Sequence, residues 1–277
     1  MLRTILIYLS QAKWARHIVT RWSFAQNAAS RFIAGEKLED AISVIKTLNA
    51  KNINATLDHL GEHTSNPEKA IQATEDIISA IERIHQEGVR SGVSIKLTQI
   101  GMDVDESLCA DNLDRILHTA EKLSTFVRID MEDSQWVEKT LNLFFLNLEK
   151  YGSKTIGIVI QSYLFRSEND VSRLMQAGAR IRLCKGAYKE PENIAFPDKA
   201  DVDENFDLLV KMMYEGCQEN GVPVISKDGK IPPIPAIASH DDERINYAKR
   251  LLEEKGLPIG AIEFQMLHGI RRDLQES

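Results

Sequence analysis

Cysteine is scarce in these 277 residues, with only Cys109, Cys184 and Cys217. Their odd number and wide spacing supply neither a complete disulfide framework nor zinc-ligand pairs, so the chain suits a reducing compartment. Long apolar runs are missing as well: MLRTILIYLS is too short to span a bilayer, and Lys13 and Arg16 close the window behind it. No GxGxxG opens a helix and no GxxxxGK[ST] occurs, which removes both standard nucleotide fingerprints. The 41 acidic residues outnumber 34 basic ones, and the net charge of -7 gives no general case for nucleic-acid binding. No Gly/Ser linker or acidic tail divides the chain, whose length is close to the roughly 250 residues of a single (β/α)₈ domain.

Acid is absent from residues 1–35, which carry Arg3, Lys13, Arg16, Arg21 and Arg31; the remainder holds 29 basic and 41 acidic residues. Leu2, Ile5, Leu9, Trp14, Ile18 and Trp22 fall near one broad helical face. Such a segment packs on a barrel, lies on a membrane surface or serves as an organellar targeting sequence, and the pattern leaves all three open.

What the chain does have is one design repeated seven times. Short β-branched runs with polar or charged residues at their C-terminal ends start at Ile53, Val93, Phe126, Thr155, Arg180, Ile234 and Ala261. Helical periodicity intervenes over 37–50, 66–86, 107–123, 134–151, 169–177 and 204–219. Strand-helix alternation of this kind predicts a parallel sheet, and seven units predict a barrel, with function where the polar strand ends converge. The domain reading is a helical segment over 1–52 and a barrel over 53–277. GVPVISKDGKIPPIP, over 221–235, has too many prolines for a long central strand and suits a short edge strand or an insertion. The sixth strand is placed at 234–239 and the seventh at 262–267, and HGIRRDLQES supplies no eighth.

Two-residue alternation puts Lys96 with Thr98, Arg128 with Asp130, and Arg180 with Arg182. Inward charges require partners or solvent. Lys96, Asp130 and Arg182 accordingly form either a polar pocket for an anionic, amine-bearing substrate or a structural salt-bridge network. Lys185, Gly186 and Ala187 make a basic turn suited to phosphate, and Gln161 and Ser239-His240 offer hydrogen-bonding groups at other strand ends. A Schiff-base lysine at Lys96 or Lys185 is a weaker alternative. So is a metal site from Asp58, His59, His63 and His240, because DHLGEH lacks closely paired strand histidines.

Taken in order, LDHLGE from Leu57, SIKLTQIG from Ser94, IDMED from Ile129, VIQSY from Val159, RLCKGAY from Arg182, ASHD from Ala238 and FQMLHG from Phe264 resemble the proline dehydrogenase family over nearly the whole chain. The resemblance implies an α/β fold, a distorted (β/α)₈ TIM barrel of the proline dehydrogenase type with about seven β/α units here and N-terminal helices. It further implies FAD-dependent oxidation of L-proline to Δ1-pyrroline-5-carboxylate, with electrons passed to a membrane quinone and the product taken by a downstream pyrroline-5-carboxylate dehydrogenase. Asp130 and Arg182 match catalytic positions, and Lys96 and Tyr188 substrate positions. Met131, Gln161, Lys185, Gly186, Ala187, Ser239 and His240 match FAD-binding positions; no metal is implied. A cytoplasmic protein with peripheral contact at the inner membrane face is expected, mitochondrial targeting being the lesser alternative. ASHD departs from the family's usual ATHN at Ser239 and Asp241, and Cys184 stands at a usually aliphatic position. The family's eighth strand and helix, which hold and enclose proline, have no counterpart after FQMLHGI. The alternative is therefore a flavin-binding or interaction protein with weak or no catalysis.

Overall fold

The structure, a computed structural model, describes residues 34, 35 and 37–275. The basic amphipathic segment read above lies outside them. Residues 45–265 form one compact unit that contains every strand, and the described residues before 45 and after 265 fall in a second. Helix α1 (Leu38–Ala50) runs through the first boundary.

Seven parallel strands form a single sheet in strict sequence order: β1 (Ala55–Asp58), β2 (Ser91–Ile95), β3 (Val127–Ile129), β4 (Ile156–Gln161), β5 (Arg180–Cys184), β6 (Pro235–Ala238) and β7 (Glu263–Gln265). Between them run α2 (Pro67–Glu87), α3 (Glu106–Lys122), α4 (Ser134–Tyr151), α5 (Ser167–Gln176), α6 (Lys199–Glu219) and α7 (Asp242–Glu254). This is the expected distorted barrel with about seven β/α units. A short helix, α8 (Arg272–Gln275), ends the described chain.

Local sequence explains the boundaries. Asn66 accepts a hydrogen bond from the Lys69 amide at 3.1 Å and is followed by Pro67, whose missing N–H is harmless in a first turn. Asp105 caps α3 by accepting from the Leu108 amide at 2.9 Å. At the other end of α2, Gly88 takes φ 63°, a left-handed conformation that a side chain disfavours.

Strand parity then sorts the side chains. Val93 and Ile95, Val127 and Ile129, Ile156, Ile158 and Ile160, and Ile181 and Leu183 are all buried. They alternate with the polar positions and face the helix layer, which contributes Ile77, Ile81, Ile116, Leu117, Phe144, Leu174, Phe206 and Leu209. Each such aliphatic side chain contributes about 1.5–3 kcal/mol when fully buried, so the sheet's outer face carries most of the cohesion.

Three expectations differ from the structure. The run starting at Val93 is a strand only from Ser91 to Ile95; the chain then turns, with the amides of Ile100 and Met102 donating to the Leu97 carbonyl. Alternation therefore stops before Thr98, which is fully buried and directs its hydroxyl and amide to Glu132. Helix α6 begins at Lys199 rather than near 204, and α7, unassigned in the sequence reading, starts where Asp241 accepts from the Glu243 amide at 3.1 Å. Residues 221–234 contain no strand, not even a short edge strand, and Pro235 opens β6; the Ser226 hydroxyl accepts from the Lys230 and Ile231 amides and closes a turn there.

Gly157 shows how tightly the interior is filled. A Cβ there would lie 2.6 Å from Phe126 Cζ and 2.7 Å from the Arg180 carbonyl oxygen, the latter fixed in the neighbouring strand. Gly157→Ala is expected to destabilise the fold by about 1–3 kcal/mol, seen as a lower urea midpoint at unchanged slope.

Candidate active site

The polar residues of successive strands share the inner face of the sheet. Backbone register aligns Asp58 with Ser94, Ser94 with Arg128, Arg128 with Gly157, and Gly157 with Arg180; one layer up, Val159 aligns with Arg182 and Arg182 with Ala236. The pairs Arg128/Asp130 and Arg180/Arg182 thus point inward as alternation predicts. Gly157 leaves room for the Arg128 guanidinium, which lies 4.9 Å over the Phe126 ring and donates to the Arg180 carbonyl at 3.4 Å. Burial, helped by the nearby Arg182 charge, lowers the Arg128 pKa to about 9.

Above this floor a continuous network crosses the sheet. Arg182 forms an ion pair with Asp130 through Nη2, while its Nη1 donates to Ser94 Oγ at 3.2 Å and to Gln265 Oε1 at 3.4 Å. Gln265 in turn donates to Glu263 Oε1 at 2.7 Å. The second oxygen of Asp130 lies 3.5 Å from Lys96 Nζ, which also donates to Asp58 Oδ2 at 3.4 Å. Strands β1, β2, β3, β5 and β7 are linked by these six side chains and Ser94. Burial opposes ionisation of Lys96, but the Asp130 and Asp58 carboxylates outweigh it and hold the ammonium above its ordinary range. Asp58 moves up, chiefly through burial. Its Oδ1 is buried with no hydrogen-bond partner among the described residues. The network therefore retains an unpaired acceptor on the carboxylate that meets Lys96, alongside the Lys96 and Arg182 cations, an arrangement able to receive a group that is anionic at one end and a donor at the other.

A second cluster forms at the ends of β5 and β6. Lys185 Nζ bridges Asp203 and Asp241, the latter at 2.6 Å. Lys199 contacts the same two carboxylates, and Arg244 reaches Asp203 at 3.6 Å and Asp207 at 3.0 Å. Close ion pairing lowers the Asp241 pKa to about 2 despite its burial. The Ser239 hydroxyl accepts from the Asp241 amide at 3.1 Å, which fixes the start of α7, and the half-buried His240 lies between them. Gly186 has φ 109°, and a Cβ there would sit 2.3 Å from the Tyr163 ring, so only glycine permits this backbone path. Ala187 is exposed, and Tyr188 donates to Glu62 Oε2 at 3.3 Å.

At the end of β4, Gln161 donates its amide nitrogen to the Met131 carbonyl at 3.2 Å. Its Oε1 is buried with no hydrogen-bond partner among the described residues. An orphaned acceptor beside a glycine turn is costly for a closed protein interior and suits a ligand that presents an N–H.

The family model described as proline dehydrogenase matches residues 41–277. This chain belongs to the proline dehydrogenase family. It is 37% identical over 276 residues to proline dehydrogenase 2 of Bacillus subtilis (strain 168), covering 99% of this chain and 85% of that protein. To the proline dehydrogenase of Deinococcus radiodurans it is 39% identical over 254 residues, covering 90% and 77% respectively. Among solved structures, proline utilization A from Bdellovibrio bacteriovorus, inactivated by N-propargylglycine, superimposes with a TM-score of 0.79 at 24% identity. That match covers 91% of this chain and 30% of the other, so it speaks for the fold alone.

Within this proline dehydrogenase family member, the residues singled out from sequence separate into two groups. Lys96, Asp130 and Arg182 meet directly, whereas Lys185 lies in its own ion cluster. Asp58, Ser94 and Gln265 complete the first group and Asp203 the second; of these the sequence marks only Asp58, as a candidate metal ligand rather than as a partner of Lys96. Alternation from Asp130 and Arg182 offered a signal for Gln265 in EFQ and Ser94 in SIK. The pairing of Asp203 with Lys185 spans a loop and a helix and has no sequence signature.

Asp207 provides a pH test of the second cluster. Burial raises its carboxyl from 3.8 to about 6, because Arg244 Nε, although 3.0 Å away, lacks hydrogen-bond alignment. Ionising Asp207 thus penalises the folded state relative to the unfolded chain, a penalty absent below about pH 4 and complete above about pH 6. Asp207→Asn is expected to raise stability by about 1–2 kcal/mol at roughly pH 7.5 and to leave it unchanged near pH 4, measured by urea unfolding.

Proposed function

We propose that this chain oxidises L-proline to Δ1-pyrroline-5-carboxylate with FAD as its resident cofactor, and that the electrons pass to a membrane quinone. The observation that carries the reading is the Arg182–Asp130–Lys96 constellation inside the strand ends of a proline dehydrogenase family member. Proline presents a carboxylate and a secondary amine within a few bonds. Cationic Lys96 and Arg182 suit the carboxylate, and the acceptors of Asp130 and Asp58 suit the amine.

Bound FAD supplies the two-electron acceptor. Residues that would hold it are Met131, Gln161, Lys185, Gly186, Ala187, Ser239 and His240, and the unsatisfied Gln161 Oε1 supports that fit, since a flavin ring offers an imide N–H. The Arg182 guanidinium would compensate negative charge on a reduced flavin, a preorganised electrostatic role. Both Asp130 oxygens already face cations, which favours positioning of the substrate over proton acceptance. Tyr188 is assigned to the substrate side. Among the described residues no helix is long and apolar enough to cross a membrane. Quinone access is assigned instead to peripheral membrane contact on the cytoplasmic side, and a pyrroline-5-carboxylate dehydrogenase to the consumption of the product.

Reconstitution with FAD followed by removal of free cofactor is expected to leave a yellow protein whose visible absorbance bleaches anaerobically on addition of L-proline. A natively folded but colourless protein would sink the cofactor assignment; a yellow protein inert to proline would sink the substrate assignment.

Arg182→Met is expected to slow that bleaching about 10²–10³-fold while changing FAD retention only slightly. Lys185→Met should instead accelerate FAD loss with a smaller effect on reduction of the protein that stays loaded. Stopped-flow reduction and FAD dissociation rates check the two roles.

A further inference from the structure

The cations around Lys185 are already matched by carboxylates without any ligand. Lys185, Lys199 and Arg244 face Asp203, Asp207 and Asp241, and the exposed Glu243 lies 3.7 Å from Arg244 as a fourth acid. The two carboxylates on Lys185 are not equivalent. Asp203 is also contacted by Lys199 and by Arg244 at 3.6 Å. Asp241 has Lys185 at 2.6 Å and, among the described residues, the exposed Lys199, at 3.5 Å, as a second cation. Its other oxygen caps α7 through the Glu243 amide. Displacing Asp241 from Lys185 therefore removes one close cation and leaves the helix cap in place, whereas displacing Asp203 disturbs contacts to three.

Resting on the reading that Lys185 holds the phosphates of FAD, we propose that Asp241 is an internal competitor for that anion. It occupies on the Lys185 ammonium the place a phosphate oxygen takes, and so sets cofactor affinity. An arriving diphosphate meets a cation already neutralised and must exchange with the Asp241 carboxylate, against like-charge repulsion at close range. The chemistry recognised is that of an organic or inorganic diphosphate. A flavin without phosphates does not compete and is indifferent to Asp241.

Asp241→Asn tests this directly, because asparagine caps a helix as well as aspartate does and removes only the charge. The variant is expected to bind FAD about tenfold more tightly at low salt, a gain of about 1.4 kcal/mol that shrinks as ionic strength rises. Its affinity for riboflavin should stay within about twofold of the parent, while inorganic pyrophosphate should bind more tightly, measured by flavin fluorescence quenching and titration calorimetry. Asp241→Ser, which keeps a capping hydroxyl and cannot reach Lys185 in the same way, should shift FAD affinity in the same direction. Unchanged or weaker binding of both FAD and pyrophosphate overturns the proposal and makes Asp241 a support for Lys185. An equal gain for riboflavin overturns it too, by moving the effect away from the phosphates. Tighter pyrophosphate binding in a protein that takes up no FAD would uphold the competitor role and reject the cofactor reading on which its purpose rests.

Discussion

Everything at the centre of this fold depends on the ion pair between Arg182 and Asp130. The sheet's outer face is committed to aliphatic contacts with the helices, so charge-bearing side chains of alternate positions are forced inward. An inward charge without a partner is heavily penalised. Arg182 answers that constraint by binding Asp130 while also reaching Ser94 and Gln265, and Asp130 passes the linkage on to Lys96 and Asp58. The sheet interior is consequently held by polar contacts between strands that are not sequence neighbours.

The same constraint sets apart structural and chemical charge. Arg128 lies deep, stacked on Phe126 and walled by Gly157, and its lowered pKa records burial with little compensation. Arg182, one layer higher, is part-buried and surrounded by acceptors. Two arginines of like parity thus have different tasks because of their depth: the lower one fills the floor, and the upper one presents a guanidinium that a ligand's charge can meet.

Lys185 belongs to another balance. Its partners come from α6 and the start of α7, so the turn over 185–187 is anchored to helices as well as to the sheet. Gly186 against Tyr163 and the uncommitted oxygen of Gln161 give that neighbourhood backbone exposure and an unmet hydrogen bond, features a self-sufficient core avoids. Two separate charge networks are in this way held at the strand ends, one around Arg182 and Asp130 and one around Lys185.

Periodicity alone determined the seven strands, most helices and the inward parity of Arg128, Asp130, Arg180 and Arg182, because neighbouring φ/ψ choices and side-chain alternation are local properties. Turn chemistry was legible at Asn66-Pro67 and Gly88 for the same reason. The helix after Asp241 was overlooked because only two of its residues, Ile245 and Ala248, are buried, which leaves a faint apolar stripe. Thr98 escapes the alternation because the chain turns at Leu97, and its hydrogen bonds to the buried Glu132 join residues 34 positions apart. Ordered motifs led to Lys96, Asp130, Arg182, Lys185 and Gln161. Only the tertiary structure decided that the first three share one network with Asp58, Ser94 and Gln265 while Lys185 is held by Asp203 and Asp241. The Lys96–Asp58 and Lys185–Asp241 ion pairs, across 38 and 56 residues, and the Arg182–Ser94 hydrogen bond, across 88, reflect where strands and helices are brought together in space, and no short-range pattern in the chain encodes them.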